Sequence, residues 1–376
     1  MEWSLASICA HAGIIADHLT GPVTAPIHFS TTYKYQPTGA YPTGYVYSRE
    51  NNPTRYELEQ VLSKLERGAA AAAFSSGIAA AHATFMSLHP GDHVIVSYDV
   101  YAGVRQLLKT IFMPWGLEVS FIDLSDLKNL EKAIKSNTAL VWAESPTNPQ
   151  LKIIDLTSLI QICKGRNILV AVDNTFATPV LQNPLVLGAD LVMHSTTKYL
   201  AGHSDLTGGA LITARPDAWW DKIRSIQYLA GAVPSPFDCW LLLRGIRSLV
   251  SRMQTHISNA KAVATFLEHH PKVKQVIYPG LPSHPGFNIA QKQMREPGAM
   301  LSVLVKHTAT DALNIAGRLK VFTNATSLGG TESLVEHRYS AEGPDSPTPP
   351  NLLRFSIGLE SAEDLIADLQ QAFLDA

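Results

Sequence analysis

Ile168-Leu169-Val170-Ala171-Val172-Asp173-Asn174-Thr175 and, further along, Leu191-Val192-Met193-His194-Ser195-Thr196-Thr197-Lys198 share one design. In each, a short apolar run ends in a burst of polar residues. Runs of this length bounded by polar residues read as strands buried on both faces. Residues 69–74, 94–96 and 139–143 repeat the pattern, and helical stretches separate most of these runs. Ahead of them, residues 56–67 place Tyr56, Leu58, Val61, Leu62 and Leu65 at helical spacing and stop at Gly68. Ser75-Ser76-Gly77 then opens an Ala-rich helix running to about residue 88. This alternation predicts an α/β unit with a mainly parallel sheet flanked by helices.

Past residue 240 the character changes. Residues 240–253 and 257–269 read as helices, 300–305 and 352–357 as strands, and 362–374 as a last helix, together a smaller α+β unit. Residues 344–350 read as a Pro-rich surface loop. Before residue 56, Pro22, Pro26, Pro37, Pro42 and Pro53, with Gly39 and Gly44, interrupt any helix. An arm of roughly 50 residues is out of place inside a compact monomer, so it is expected to pack on a neighbouring subunit. The expected organisation is an arm over 1–55, a large domain over 56–240 and a small domain over 241–376.

Composition excludes several classes. Over 376 residues, 46% hydrophobic and with a formal net charge of -2, the chain has the apolar content for a large core and no basic patch for nucleic acid or an anionic membrane. Cys9, Cys163 and Cys239 are scattered, form no CxxC pair, and suit a reducing compartment better than a disulfide framework or a cysteine zinc site. Fourteen histidines include no H-E-x-x-H, and neither G-x-G-x-x-G nor a Walker A loop is present. With no basic, apolar leader and no apolar run of about 18 residues, a soluble cytoplasmic protein is expected.

In an open α/β sheet, ligands bind beyond the carboxyl ends of the strands. That rim here collects Ser75-Ser76-Gly77, Tyr98, Asp99 and Tyr101, Glu144 to Pro149, Asp173-Asn174-Thr175, and His194 to Lys198. A pyridoxal phosphate site needs a lysine amine, an acid for the ring nitrogen, and donors for the phosphate. Lys198 could supply the amine, Asp173 the acid, Tyr101 a stacking ring, and Gly77, Ser195 and Thr197 phosphate donors at a helix N-terminus. Taken singly, each has an ordinary structural explanation: a solvated lysine, a turn or cap aspartate, a rim tyrosine, a plain helix cap. Their coincidence in order is what carries weight.

The chain resembles the Cys/Met-metabolism family of pyridoxal-phosphate enzymes, the cystathionine synthases and lyases and their relatives, over nearly its whole length. The motifs are Tyr47-Ser48-Arg49, Asn52-Pro53-Thr54, Ser75-Ser76-Gly77, Tyr101, Glu144-Ser145-Pro146-Thr147-Asn148-Pro149, Asp173-Asn174-Thr175, Ser195-Thr196-Thr197-Lys198-Tyr199, Ser327-Leu328-Gly329-Gly330 with Glu332-Ser333-Leu334, and Arg354. The resemblance implies a fold-type I, aspartate-aminotransferase-like architecture: an arm, a large mixed-sheet cofactor domain and a small C-terminal domain, in a homo-oligomer, commonly a tetramer, with dimer-shared sites. It further implies pyridoxal 5'-phosphate as a Schiff base on Lys198, with Asp173 on the ring nitrogen and Tyr101 on the ring face. Gly77, Ile78, Ser195 and Thr197 would take the phosphate, helped by Tyr47 and Arg49 from the neighbouring subunit. Arg354 would hold the substrate α-carboxylate, with Asn148 and Ser327 orienting it. Burial near the cofactor and Arg354 should lower the Lys198 pKa toward the working range.

The substrate side departs from the family pattern. Val46 and Thr326 are neutral where cystathionine-handling members commonly carry acids, and Gly103 stands where methionine γ-lyases commonly have Cys. Val335-Glu336-His337-Arg338-Tyr339-Ser340 replaces a usual Pro and Met-Thr-His-type stretch; the expectation there is a reshaped surface loop, and the alternative is a part in substrate choice for Glu336, His337 or Arg338. The leading function is a C–S lyase on cystathionine or a related amino acid. The alternative is γ-replacement on an O-acylated homoserine, as in a cystathionine γ-synthase or O-acylhomoserine sulfhydrylase. A non-catalytic binding protein is the remote third, disfavoured by the presence of Lys198, Asp173 and Arg354. A Lys198→Ala variant is expected to lose the visible absorption of lysine-bound cofactor; a spectrum that keeps the band would overturn the lysine assignment.

Overall fold

A computed structural model of the chain describes residues 3–14, 20–343 and 346–374. The larger sheet contains β1 (Ala70–Phe74), β2 (His93–Ser97), β3 (Glu118–Ile122), β4 (Thr138–Glu144), β5 (Leu169–Asp173), β6 (Leu191–His194) and β7 (Gly209–Thr213), in the order β1-β7-β6-β5-β4-β2-β3. Strands β6, β5, β4, β2 and β3 run parallel. Strand β7 is antiparallel to both β6 and β1, so the sheet is mixed. Successive side chains alternate between two apolar layers. Ile95, Val141, Val170, Val172, Val192 and Ile212 join one, and Val94, Val96, Trp142, Ala171, Met193 and Leu211 join the other. Both faces are dry, which is why these strands read as unbroken apolar runs.

The smaller sheet contains β8 (Val273–Ile277), β9 (Met300–Val305), β10 (Thr323–Asn324), β11 (Leu334–Glu336) and β12 (Leu352–Ser356), ordered β10-β11-β12-β9-β8 and antiparallel except for β10 with β11. Helix Leu249–Glu268 packs on it and on the final helix, Ala362–Leu374. Residue 240 lies inside the helix Pro236–Arg247, so a helical pair rather than a linker leads from one sheet to the other. Among the described residues, no helix is long and apolar enough to cross a membrane.

The helix expected to begin at Tyr56 spans Pro53–Glu66. Asn52 is its N-cap, its side-chain oxygen accepting from the Thr54 and Arg55 N–H groups, and Pro53 suits the first turn because it has no N–H to satisfy. Leu58, Val61, Leu62 and Leu65 are buried, whereas Tyr56 is exposed and is not part of the inner face. The arm is not wholly extended. Ser4 caps a short helix, Leu5–Ala10, whose Cys9 is buried in the main core. Residues 20–52 hold no helix and one isolated bridge, Thr32 with Tyr47; expected arm residues 1–2 and 15–19 lie outside the described residues. The arm is tied back where Asn52 Nδ2 donates to His28 O at 2.8 Å and Trp240 Nε1 to Ala25 O at 3.0 Å. Around these ties Val23, Phe29 and Tyr35 stay 74%, 67% and 65% exposed.

The Pro-rich loop is anchored rather than free. Thr348 is buried and donates to Glu342 Oε2 at 3.2 Å, while Pro347 O accepts from Gln150 Nε2 at 3.2 Å; residues 344 and 345 lie outside the described residues. Because Asn52 serves both as helix cap and as arm tie, Asn52→Ala is expected to cost about 1–2 kcal/mol. The check is the denaturant midpoint, and an unchanged midpoint would contradict the double role.

Candidate active site

The carboxyl ends of β1, β2, β4, β5 and β6 all open on one side. A cavity of about 240 Å³ lies there, closed from above by residues preceding β11 and by β12. Its floor is a pair of carboxylates. Glu144 and Asp173 end adjacent strands as direct register partners, and both are buried. Burial pushes both carboxyls above their ordinary range; the charge of Asp173 drives Glu144 further up, and hydrogen bonds from Thr175 pull Asp173 partly back. Glu144 Oε2 accepts from the Tyr101 N–H at 2.9 Å, and Asp173 Oδ1 from the Thr175 N–H at 3.0 Å. Two anions held together out of water favour a cation placed against them.

One wall is the N-terminus of helix Gly77–Met86. Ser76 caps it, accepting from the Ala79 N–H at 3.1 Å, which leaves the first N–H groups without helical acceptors. A side chain at Gly77 would bring Cβ to 2.9 Å from Cβ of Ser195, so only glycine lets these two segments close together. Ser195 is fixed through its N–H to Thr175 Oγ1 at 2.9 Å, and Thr197 Oγ1 accepts from the Gly208 N–H at 2.9 Å. Hydroxyls gathered at a helix N-terminus make an anion seat.

Opposite stands Lys198, whose Nζ donates to Ser327 Oγ at 2.6 Å. Burial lowers its pKa to about 8, and neighbouring Arg354 adds to the effect, with Glu336 and Asp173 opposing. Ser327 takes φ of 85°, a costly backbone conformation for a residue with a Cβ. In that position its hydroxyl meets Lys198 while its carbonyl accepts from Arg354 Nη2 at 2.9 Å. Arg354 Nη1 donates to Asn148 Oδ1 at 3.0 Å, and its buried Nε has no partner among the described residues. Burial pulls the Arg354 pKa down to about 10.

Tyr101 stands at the start of helix Ala102–Leu107 with its side chain partly exposed at the cavity edge. A Cβ at Gly103 would come within 2.5 Å of Tyr101 Cε1, so glycine there leaves room for the ring. Lys198, Tyr101, Asp173, Gly77, Ile78, Ser195, Thr197, Asn148, Ser327 and Arg354 thus line one cavity. Tyr47 and Arg49 do not. Arg49 Nη1 instead donates to Tyr228 O at 3.0 Å, its guanidinium lying 4.8 Å from the Tyr228 ring centre. A wider depression of about 600 Å³ beside Trp3 and Arg295 contains none of these groups.

The sequence assigned no individual role to Glu144 or Ser76, and for Glu336 it offered only a part in substrate choice as the alternative to a surface loop. The signal for Glu144 was a charge at the end of a buried run. For Glu336 it was a charge following Leu334-Val335. The surface loop expected around Glu336, His337 and Arg338 is instead buried. Strand β11 pairs with β12 and sets Glu336 directly across from Arg354, and this ion pair, continued to Arg338, keeps the segment inside.

The donor set fits pyridoxal phosphate. A lysine with a lowered pKa, a buried acid pair, a glycine-lined anion seat and an arginine Nε without a partner converge on one space. Because the Lys198 amine is protonated below about pH 8 and neutral above it, covalent capture of added pyridoxal phosphate by the cofactor-free protein should speed up about tenfold per pH unit up to that point and then level off. Stopped-flow absorbance across pH 6–10 reads this, and a midpoint at an ordinary lysine value would contradict the site electrostatics.

Comparison with known proteins agrees with this chemistry. The family described as Cys/Met metabolism PLP-dependent enzyme matches residues 6–374. A cystathionine gamma-synthase of Mycobacterium leprae is 46% identical over 98% of this chain and 96% of its own. A cystathionine beta-lyase of Coxiella burnetii is 43% identical over 96% of each. A crystal structure of cystathionine gamma synthase from Xanthomonas oryzae pv. oryzae in complex with cystathionine, 38% identical, superposes with a TM-score of 0.95 over 100% of this chain and 98% of that one. With the family matched from end to end and the cofactor site built as it requires, the chain belongs to the Cys/Met-metabolism pyridoxal-phosphate enzymes and has their fold-type I architecture.

Proposed function

We propose that the protein is a C–S lyase of sulfur amino-acid metabolism, acting on cystathionine or a related amino acid with a β- or γ-leaving group. What supports this most directly is a lysine amine of lowered pKa beside a buried arginine with an unpartnered Nε, a base next to a carboxylate seat. Gly77, Ile78, Ser195 and Thr197 would hold the phosphate, Asp173 the ring nitrogen and Tyr101 the ring face. Pyridoxal phosphate, when bound, supplies the sink for the electron pair released at the substrate Cα. Arg354, oriented by Asn148 and by the Ser327 carbonyl, holds the α-carboxylate. The neutral Lys198 Nζ, steered by Ser327 Oγ, takes the Cα proton and moves it on. Tyr101, at the cavity edge, would assist the departing sulfur by delivering a proton to it.

A second reading, γ-replacement giving cystathionine or homocysteine, gains support from the cystathionine gamma-synthase relative at 46% identity. It uses the same cofactor residues. The neutral Thr326 in the cavity lining bears on both, since the distal amino group of cystathionine gains no carboxylate there. Tyr47 and Arg49 lie off their own cavity on an arm with exposed Val23, Phe29 and Tyr35, which supports a dimer in which each arm completes the partner's phosphate seat, within a tetramer. Three free, buried cysteines suit a cytoplasmic setting.

Incubating the cofactor-loaded protein with cystathionine separates the readings. Pyruvate with homocysteine marks β-elimination, and 2-oxobutyrate with cysteine marks γ-elimination, ammonia accompanying either. No keto acid from cystathionine, with cystathionine formed instead from O-acylhomoserine and cysteine, would replace the lyase with the transferase.

A further inference from the structure

Arg354 and Arg338 both line the cavity, and one buried carboxylate stands between them. Glu336 Oε1 accepts from Arg338 Nη1 at 3.1 Å, and its Oε2 accepts from Arg354 Nη2. Arg338 is held from its other side by Glu342, through Nε at 3.0 Å and through Nη2. A guanidinium has five N–H groups. Arg354 gives the two on Nη2 to Ser327 O and Glu336 and one on Nη1 to Asn148, while Nε has no acceptor. Nε and Nη2 form the edge that grips a carboxylate side-on with two parallel bonds. Half of that edge is therefore vacant, and Glu336 occupies part of the other half.

We propose that Glu336 is an internal stand-in for the substrate α-carboxylate, and that Arg338 is the cation that receives it when substrate displaces it from Arg354. The exchange rests on Arg354 being the carboxylate seat proposed above. Arg338 makes it feasible because Glu336 already bonds to it through its other oxygen and need not become an unpaired buried anion when it leaves Arg354. One carboxylate replaces another on Arg354, while Glu336 stays paired with Arg338. Substrate affinity is then set by a competition inside the protein, tuned by how strongly Arg338 draws Glu336 away.

Propionate is a suitable probe, since it offers a carboxylate but no amine to react with the cofactor. Its binding to cofactor-loaded enzyme is measured by calorimetry, with KM and kcat for the amino-acid substrate alongside. Glu336→Gln is expected to bind propionate about tenfold more tightly, and Arg338→Met about tenfold more weakly. The double variant is expected to match Glu336→Gln alone, because with no carboxylate to displace the receiving cation is dispensable. Arg338→Lys, which keeps a cation and guards against misfolding of the Met variant, should recover most of the affinity. Additive effects in the double variant, no tightening in Glu336→Gln, or Arg338→Lys as weak as Arg338→Met would each overturn the exchange. Arg354→Met distinguishes the parent reading: if it leaves propionate binding unchanged, Arg354 is not the carboxylate seat. If it abolishes binding while Glu336→Gln tightens nothing, only the exchange fails.

Discussion

The 2.6 Å contact from Lys198 Nζ to Ser327 Oγ joins two sheets that share no strand. Lys198 follows β6 of the larger sheet, and Ser327 precedes β11 of the smaller one. Arg354 on β12 reinforces the link by reaching Ser327 O and Asn148 beyond β4. The cavity is the seam between the sheets, and any shift of one against the other would separate Lys198 from Ser327 and Arg354. Holding Ser327 at φ of 85° costs on the order of 1–3 kcal/mol, and that conformation is what allows one residue to face both partners.

The seam is also an electrostatic device. Three cations, Lys198, Arg338 and Arg354, share a poorly hydrated space with the carboxylates of Asp173, Glu144, Glu336 and Glu342. Desolvation acts on both signs at once. It lowers Lys198 toward neutrality and raises Asp173 and Glu144. These shifts serve different ends. A neutral amine is a competent base, and a crowded acid pair makes a strong seat for a protonated ring nitrogen.

How much the sequence revealed follows from which residues act locally. Asp173, Ser195, Thr197 and Lys198 were legible because each sits within a few residues of an apolar run, and strand direction alone carries them to the same rim. Boundaries shifted where a cap decided them, as when Asn52 started a helix three residues before Tyr56. The roles of Glu144 and Glu336 were hidden because they depend on cross-strand register, Glu144 against Asp173 and Glu336 against Arg354. Pairings of that kind are long-range, and no local spacing encodes them. The same gap explains the mistaken surface loop at residues 336–338: Glu336 finds its partner on β12, His337 meets Ser340 and Pro350 O, and Arg338 meets Glu336 and Glu342.

The two halves of the cavity differ in how they can change. Cofactor-facing groups sit on a seven-stranded sheet with both faces packed, where moving Gly77 or Asp173 would disturb the apolar layers behind them. Across the cavity, Thr326 and Ser327 precede β11, Arg338 follows it, and Arg354 lies on β12, the central strand of the smaller sheet. Substitutions there alter charge and shape without unpicking the larger core. The neutral Thr326 and the charged Arg338 differ in their reach: Thr326 shapes the cavity lining, whereas Arg338 also helps to lower the Lys198 pKa. The cavity is thus built from two supports, a seven-stranded sheet packed on both faces and a smaller sheet whose loops close over it.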